Sequence, residues 1–252
     1  MNFRLTFTRI IIVIISLISI QQIGYTTEND STVNRIFTLI YNQQFSEAEK
    51  SMEGQINILD PFYNNVLKLD LFWWKYSLSR SREDAKRFTE ILDLLNKASV
   101  NTPKEKINEL VILSYKMRYE IKRYNVIGAF ILRSDARKRI DSLKMTDLYF
   151  LGEQQKLFDF YLTLFAYFDE VLNPFSFGNK SGEYSKSLQA LEKYSLDTDL
   201  ILSTMAHYYL GRIYTKVEKH SEKGKSHFRI LAQRFPDNSL FAELANGLNP
   251  EF

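Results

Sequence analysis

The sequence predicts an all-α protein, built as an α-solenoid of about five helix-turn-helix hairpins followed by a terminal helix. The first observation is periodicity, because apolar residues recur at intervals of three and four over most of the 252 residues, as in amphipathic helices. The second is composition, since 9 glycines and 5 prolines are few for an all-β protein, which turns roughly every ten residues. The third is that short polar breaks divide the helices into pairs, which recur roughly every 30 to 50 residues.

The first residues of the chain have the pattern of a secretory signal peptide. Arg4 and Arg9 precede a mostly apolar run over residues 10–20, and two glutamines follow it. The run is shorter than the roughly 20 residues that a membrane-spanning helix requires. We therefore expect residues 1–24 to be a signal peptide, or an N-terminal anchor if they are not cleaved, and we expect the remainder of the chain to be exported.

Composition excludes several classes of function. The chain contains no cysteine, which rules out thiolate catalysis, disulfide bonds, thiolate metal sites and a lipidated N-terminal cysteine. Its formal net charge is +3, which is too small for the strongly basic field of a typical nucleic-acid-binding protein. The sequence has no glycine-rich phosphate loop, no His-Glu-x-x-His spacing and no nucleophile elbow, and we expect no cofactor.

Residues 30–248 are predicted to form a single repeat domain. Its first hairpin joins a helix over residues 33–41 to a second helix that begins near Ser46, across a short polar break. Asp60 and Pro61 end this hairpin and begin the next, because proline fits the first turn of a helix but not its interior.

The later hairpins are predicted mainly from their apolar periodicity. Ser81 and Asp84 have the spacing of a capping box, which begins the second helix of the second hairpin. An insertion separates the two helices of the fourth hairpin, and its Phe175 and Phe177 either fold back as a plug or present a contact surface. The remaining helices are expected over residues 103–121, 124–143, 148–172, 183–194 and 240–248.

The last hairpin carries the most specific pattern in the chain. Its two helices and the turn that follows contain His207, Leu210, Gly211, Tyr214, Gly224, Phe228 and Pro236. This arrangement resembles the tetratricopeptide repeat, which has a large residue, Leu-Gly and Tyr, then a small residue, an aromatic residue and a proline. Ala48 and Ala85 take the small-residue position in the first two hairpins, whereas Trp73 stands where the family has a small residue. Gly211 and Gly224 are expected where the two helices of the last hairpin cross closely.

The resemblance implies a function in binding proteins or peptides. The first helices of such hairpins line a concave face, which would place Tyr208, Arg212, Thr215 and Lys216 on that face. Arg212 and Lys216 could bind an acidic segment or a terminal carboxylate, although a solvated face is the plainer interpretation. The segment over residues 234–238 is also similar to repeats of periplasmic envelope-assembly proteins, including outer-membrane assembly lipoproteins, whose lipidated cysteine this chain lacks.

Metal and catalytic sites are not predicted. The three histidines fall in one hairpin without the spacing of a known ligand pair, so ordinary helix and turn positions explain them better. Three carboxylates lie along one predicted helix, whereas acid–base catalysis needs carboxylates that face each other across a cleft. The histidines are His207, His220 and His227, and the carboxylates are Asp159, Asp169 and Glu170.

The sequence therefore predicts a non-catalytic adaptor of the periplasm or cell envelope that binds a protein or peptide. A membrane-anchored component of envelope assembly or structure is the alternative, and an enzyme with an unrecognised site is a more remote one. The candidate contacts to the partner are Tyr208, Arg212, Lys216, Phe175 and Phe177.

Overall fold

The computed structural model of the protein describes residues 31–55, 59–97, 103–123, 125–144, 153–171 and 182–248. Within these ranges the chain forms eleven helices and no strand. The helices are α1 (residues 31–41), α2 (Phe45–Gly54), α3 (Pro61–Ser79), α4 (Arg82–Lys97), α5 (Pro103–Lys122), α6 (Val126–Lys144), α7 (Glu153–Val171), α8 (Gly182–Ser195), α9 (Leu200–Lys216), α10 (Ser221–Arg234) and α11 (Ser239–Ala245). The predicted signal peptide and the insertion with Phe175 and Phe177 lie outside the described residues.

The helix starts that were predicted from capping residues are confirmed. The Asp60 side chain accepts a hydrogen bond from the Phe62 amide over 2.8 Å, and Pro61 occupies the first position of α3. Ser81 Oγ accepts the Asp84 amide over 3.0 Å at the start of α4, which is one half of a capping box. The Ser81 amide itself donates to Ser79 Oγ rather than to the Asp84 carboxylate. Short polar side chains therefore fix where α3 and α4 begin.

The helices form two layers of a solenoid, as the sequence predicts. Helices α3 and α4, α5 and α6, α7 and α8, and α9 and α10 pack as hairpins. The first helices of these hairpins also pack on one another in chain order, from α3 through α5 and α7 to α9. Helices α3 and α9 are buried along most of their length, whereas α4 buries only Phe88 and Leu92. The first helices thus form an inner layer and the second helices an outer one.

The last hairpin is held together at the predicted glycines. A Cβ atom on Gly224 would lie 2.2 Å from Thr215 Oγ1 and 2.9 Å from the Gly211 carbonyl oxygen. A Cβ atom on Gly211 would lie 2.6 Å from Cζ of Phe228. The expected close crossing of α9 and α10 is therefore confirmed. Among the other residues of the predicted repeat pattern, Ala48, Leu210, Tyr214 and Phe228 are buried, Ala85 is half-buried, and Pro236 follows α10 at the surface.

The first and last hairpins also contact each other, which the sequence does not predict. Asn238, between α10 and α11, donates from Nδ2 to the Tyr41 carbonyl oxygen over 2.6 Å and accepts from Gln43 Nε2 over 3.0 Å. The Phe235 ring lies 5.3 Å from the Tyr41 ring, and the Trp74 ring of α3 lies 5.6 Å from that of Phe241 in α11. The solenoid therefore turns back on itself, so that its two ends share one apolar core.

Candidate functional site

A groove opens in the inner layer, where the last turns of α5, α7 and α9 converge beside α3. Its volume is about 260 Å³. The lining residues are Trp73, Arg118, Ile121, Lys122, Phe168, Tyr208, Tyr209, Arg212, Ile213, Lys216 and Val217. Tyr208, Arg212 and Lys216 therefore lie together in one concave feature, whereas Thr215, which was expected on the same face, lies against Gly224 of α10 instead.

The walls of the groove are aromatic and aliphatic. Trp73 is almost fully buried, with its ring against those of Phe88 and Tyr115 at 5.5 and 6.2 Å. Tyr208 is half-buried, and its ring packs against Trp74 at 5.8 Å, so it forms a wall rather than a side chain surrounded by water. Ile121 is exposed at the rim. These surfaces can bury an apolar side chain of a ligand.

Four of the lining side chains are cationic and none is acidic. Lys122 donates from Nζ to the Ser77 carbonyl oxygen near the end of α3 over 3.2 Å. Burial, together with the positive charges of Arg80 and Arg212, lowers the pKa of Lys122 to about 8. Burial and the charge of Arg212 also lower the pKa of Lys216. The groove therefore combines apolar walls with a concentrated positive charge, which favours an anionic ligand.

Arg118 reaches the groove from α5 and is surrounded by aromatic rings. Its guanidinium carbon lies 4.7 Å from the ring centres of Tyr115 and Tyr209 and 5.8 Å from those of Trp73 and Tyr208. Arg118 Nη2 donates to the Tyr209 hydroxyl, while the buried Nε has no hydrogen-bond partner among the described residues. Such ring faces stabilise the cation and fix the plane of the guanidinium group.

A buried carboxylate supports this aromatic cluster from behind. The Tyr115 hydroxyl donates to Asp70 Oδ1, and Asp70 is 1% exposed. Burial raises the pKa of Asp70 to about 6, although the bond from Tyr115 and the charge of Arg118 act in the opposite direction. Asp70 and Tyr115 thus connect α3 to α5 directly behind the ring that Arg118 packs on.

Two of the three histidines meet between α9 and α10, and the third lies apart from them. His207 Nδ1 and His227 Nδ1 lie 2.8 Å apart in a buried contact between α9 and α10, whereas His220 lies in the turn before α10. The distance fits a direct hydrogen bond in which one neutral ring donates and the other accepts. No cluster of three or more His, Asp or Glu side chains with the geometry to hold a metal occurs among the described residues.

The three carboxylates of α7 lie next to polar or charged side chains. Asp169 pairs with Arg133 at 2.8 Å and more distantly with Arg137 at 3.8 Å, while Asp159 accepts from Gln155 over 2.8 Å. Asp169 and Glu170 line a second cavity of about 240 Å³ between α6 and α7, together with both of these arginines. Opposite charges in that cavity compensate one another, so the groove beside α9 is the stronger candidate site.

Sequence reasoning missed the contributions of α3 and α5 to the groove. Trp73, Arg118 and Lys122 belong to hairpins that are distant from α9 in the sequence, so no local spacing connects them to Arg212. One signal was present, because Trp73 stands where the repeat pattern has a small residue. A large ring at that position of the inner layer fills space beside the concave face.

Comparison of the chain with protein-family models, with curated proteins and with solved structures finds no match. Among the described residues, no helix is both long and apolar enough to cross a membrane. The geometry of the groove is therefore the main structural feature that bears on function.

Proposed function

We propose that this protein is a non-catalytic adaptor with tetratricopeptide-like hairpins, which binds a segment of a partner protein in the groove. The single observation that carries the proposal is the lining of the groove, where aromatic walls and four cations share one concavity. A segment with an apolar side chain next to acidic groups complements that lining. Binding would bury the apolar side chain and place the acidic groups beside Arg212 and Lys216.

A protein segment suits the groove for two physical reasons. The cavity of about 260 Å³ is small, which matches one or two side chains better than an extended polymer such as a nucleic acid. Its walls are built from the inner helices, whose packing against one another keeps the cavity preformed. A preformed groove reduces the ordering cost of binding, so modest contacts can still give useful affinity.

The proposed location of the protein depends on its predicted signal peptide alone. Residues 1–24 have the features of a signal peptide, which supports an adaptor of the periplasm or cell envelope. A membrane-anchored envelope-assembly or structural component is the second candidate, because Gln22 and Gly24 make a poor cleavage site. Sequencing the N-terminus of the mature protein separates the two, since a start near Tyr25 removes the anchor and a start at Met1 retains it.

The binding proposal is tested by selecting displayed random peptides on the purified domain. The selected peptides are then measured against Arg212→Glu/Lys216→Glu and against a control, Lys186→Glu/Lys193→Glu. The control pair makes the same change of charge at exposed positions of α8, outside the groove. We expect the α9 variant to weaken binding about 10-fold or more and the control to change it less than about 3-fold. Equal effects of the two variants, or a failure to select any peptide, would refute the adaptor function.

A further inference from the structure

Arg118 differs from the arginines that form ion pairs in the structure. Arg133 pairs with Asp169 at 2.8 Å, and Arg87 pairs with Glu83 at 2.7 Å. Arg118 has no carboxylate within 4 Å among the described residues, although it lies deeper in the molecule than Arg87. Its one hydrogen bond in that part of the chain goes to the neutral hydroxyl of Tyr209.

A sheltered guanidinium without a carboxylate is costly unless something else offsets its desolvation. The ring faces of Tyr115 and Tyr209 recover part of that cost, because they attract the cation. The rings do not satisfy every donor of the guanidinium group, since Nε is buried without a hydrogen-bond acceptor. An acceptor supplied by a ligand would satisfy this donor.

The surroundings also hold the guanidinium in one plane. Tyr115 is anchored by its hydroxyl on Asp70, and Tyr209 receives the bond from Nη2. A planar donor group that is fixed before binding is suited to a planar carboxylate, which can accept two parallel hydrogen bonds. Lys122 and Lys216 carry ammonium groups, which act as point charges, so they attract anions with less geometric selection.

We propose that Arg118 is the specificity-determining residue of the groove and that its guanidinium binds one carboxylate of the partner segment. The proposal rests on the function proposed above and adds the chemical group that the groove selects. The carboxylate belongs either to an Asp or Glu side chain or to the last residue of a chain. Trp73 and Tyr208 then flank the bound group, which excludes water and strengthens the charged hydrogen bonds.

The test is a double-mutant cycle between Arg118→Gln and the carboxylates of the selected peptides. Each peptide is synthesised with Glu→Gln or Asp→Asn replacements, and separately with a C-terminal amide in place of the acid. Arg123→Gln serves as the matched control, because Arg123 lies at the end of the same helix over a tyrosine ring but does not line the groove. Affinities are measured by fluorescence anisotropy of labelled peptides.

We expect removal of one carboxylate to weaken binding to the unaltered protein about 10-fold, but to Arg118→Gln less than about 2-fold. The replacement that shows this coupling identifies the source of the carboxylate, either a side chain or the chain terminus. The Arg123→Gln variant should retain the full 10-fold sensitivity. Equal sensitivity of the Arg118 variant and the unaltered protein would overturn the proposal, and so would peptides that bind the groove without any carboxylate.

A folding defect in Arg118→Gln is addressed with Arg118→Lys, which keeps the charge but loses the planar fork. That variant should also lose most of its sensitivity to the carboxylate, and full retention would contradict the role of the guanidinium. If the selection gives no peptide that depends on Arg212 and Lys216, the adaptor function and this inference both fail. If the peptides depend on the rim cations but not on Arg118, only this inference fails.

Discussion

At the scale of single residues, the buried pair His207 and His227 has the clearest chemical consequence. Burial, then the charges of His227 and Arg234, lowers the pKa of His207 to about 4. Burial and the charge of Lys223 lower the pKa of His227 to about 4 as well, although Glu192 acts in the opposite direction. Both rings are therefore neutral near pH 7, and one of them donates its Nδ1 proton to the other.

The histidine pair should make the protein less stable as the pH falls. Each folded pKa lies below the ordinary value of about 6.5, so the contribution to stability is complete above that pH and is lost as the pH falls through about 4. Urea unfolding at about pH 7 and about pH 5 should show this loss, and His207→Asn/His227→Asn should show less of it. Asp70, with its raised pKa, contributes the opposite slope in both proteins, so the difference between them isolates the histidines. An unchanged pH dependence in the double variant would contradict the assignment.

At the scale of secondary-structure elements, the crossing of α9 and α10 depends on the absence of two side chains. The nearest atoms to a Cβ on Gly224 include the Gly211 carbonyl oxygen at 2.9 Å. That oxygen belongs to a helix backbone and cannot move aside cheaply. The Thr215 hydroxyl is also held in place, because it donates a hydrogen bond to the Gly211 carbonyl oxygen over 2.7 Å.

Gly224→Ala should therefore destabilise the protein, even though alanine is the better helix former. We expect a loss of about 1–3 kcal/mol in the free energy of unfolding, because α9 and α10 must separate to admit the methyl group. Gly54→Ala, at the end of α2, is the matched control, since nothing lies within 4 Å of a Cβ at that position. The control should be neutral or stabilising by up to about 1 kcal/mol. Denaturant unfolding measures both, and equal effects would contradict the close crossing.

Local sequence patterns predicted the helices well because the forces that set them are local. Asp60 and Pro61 fix the start of α3 through one hydrogen bond and one ring, and both act within a single turn. Gly211 and Gly224 were recognised because a hairpin brings residues close in sequence into contact. The aromatic surroundings of Arg118 could not be predicted in this way, since Tyr209 lies 91 residues further along the chain. No spacing rule covers a contact of that kind.

At the scale of the whole molecule, the contact between the first and last hairpins distinguishes this chain from an extended open solenoid. Asn238 is 1% exposed and serves three partners, the Tyr41 carbonyl oxygen, the Gln43 side chain and the Phe241 amide at the start of α11. The same closure brings Trp74 of α3 against Tyr208 of α9. The walls of the groove are therefore positioned by the closure of the chain, as well as by the packing of neighbouring hairpins.

Removing the Asn238 side chain should weaken the whole fold rather than one end of it. Asn238→Ala deletes a helix cap and leaves buried polar groups without partners, so we expect a loss of about 2–3 kcal/mol. Gln44→Ala is the control, because its exposed bond to Asp237 lies at the same interface and should contribute about 0.5 kcal/mol or less. Unfolding followed by far-ultraviolet circular dichroism and by tryptophan fluorescence should remain coincident in the unaltered protein. Separate transitions for the two signals would contradict the closed architecture.

Binding of an anionic protein segment in the groove beside α9 through Arg118 can be followed by nuclear magnetic resonance of the ¹⁵N-labelled protein, titrated with a selected acidic peptide. Arg118 Nε–H and the indole N–H of Trp73 should both shift, while the backbone amide of Gly54 at the end of α2, outside the groove, should stay near its original position. Shifts confined to the outer helices, with Arg118 and Trp73 unchanged at saturation, would contradict binding through Arg118.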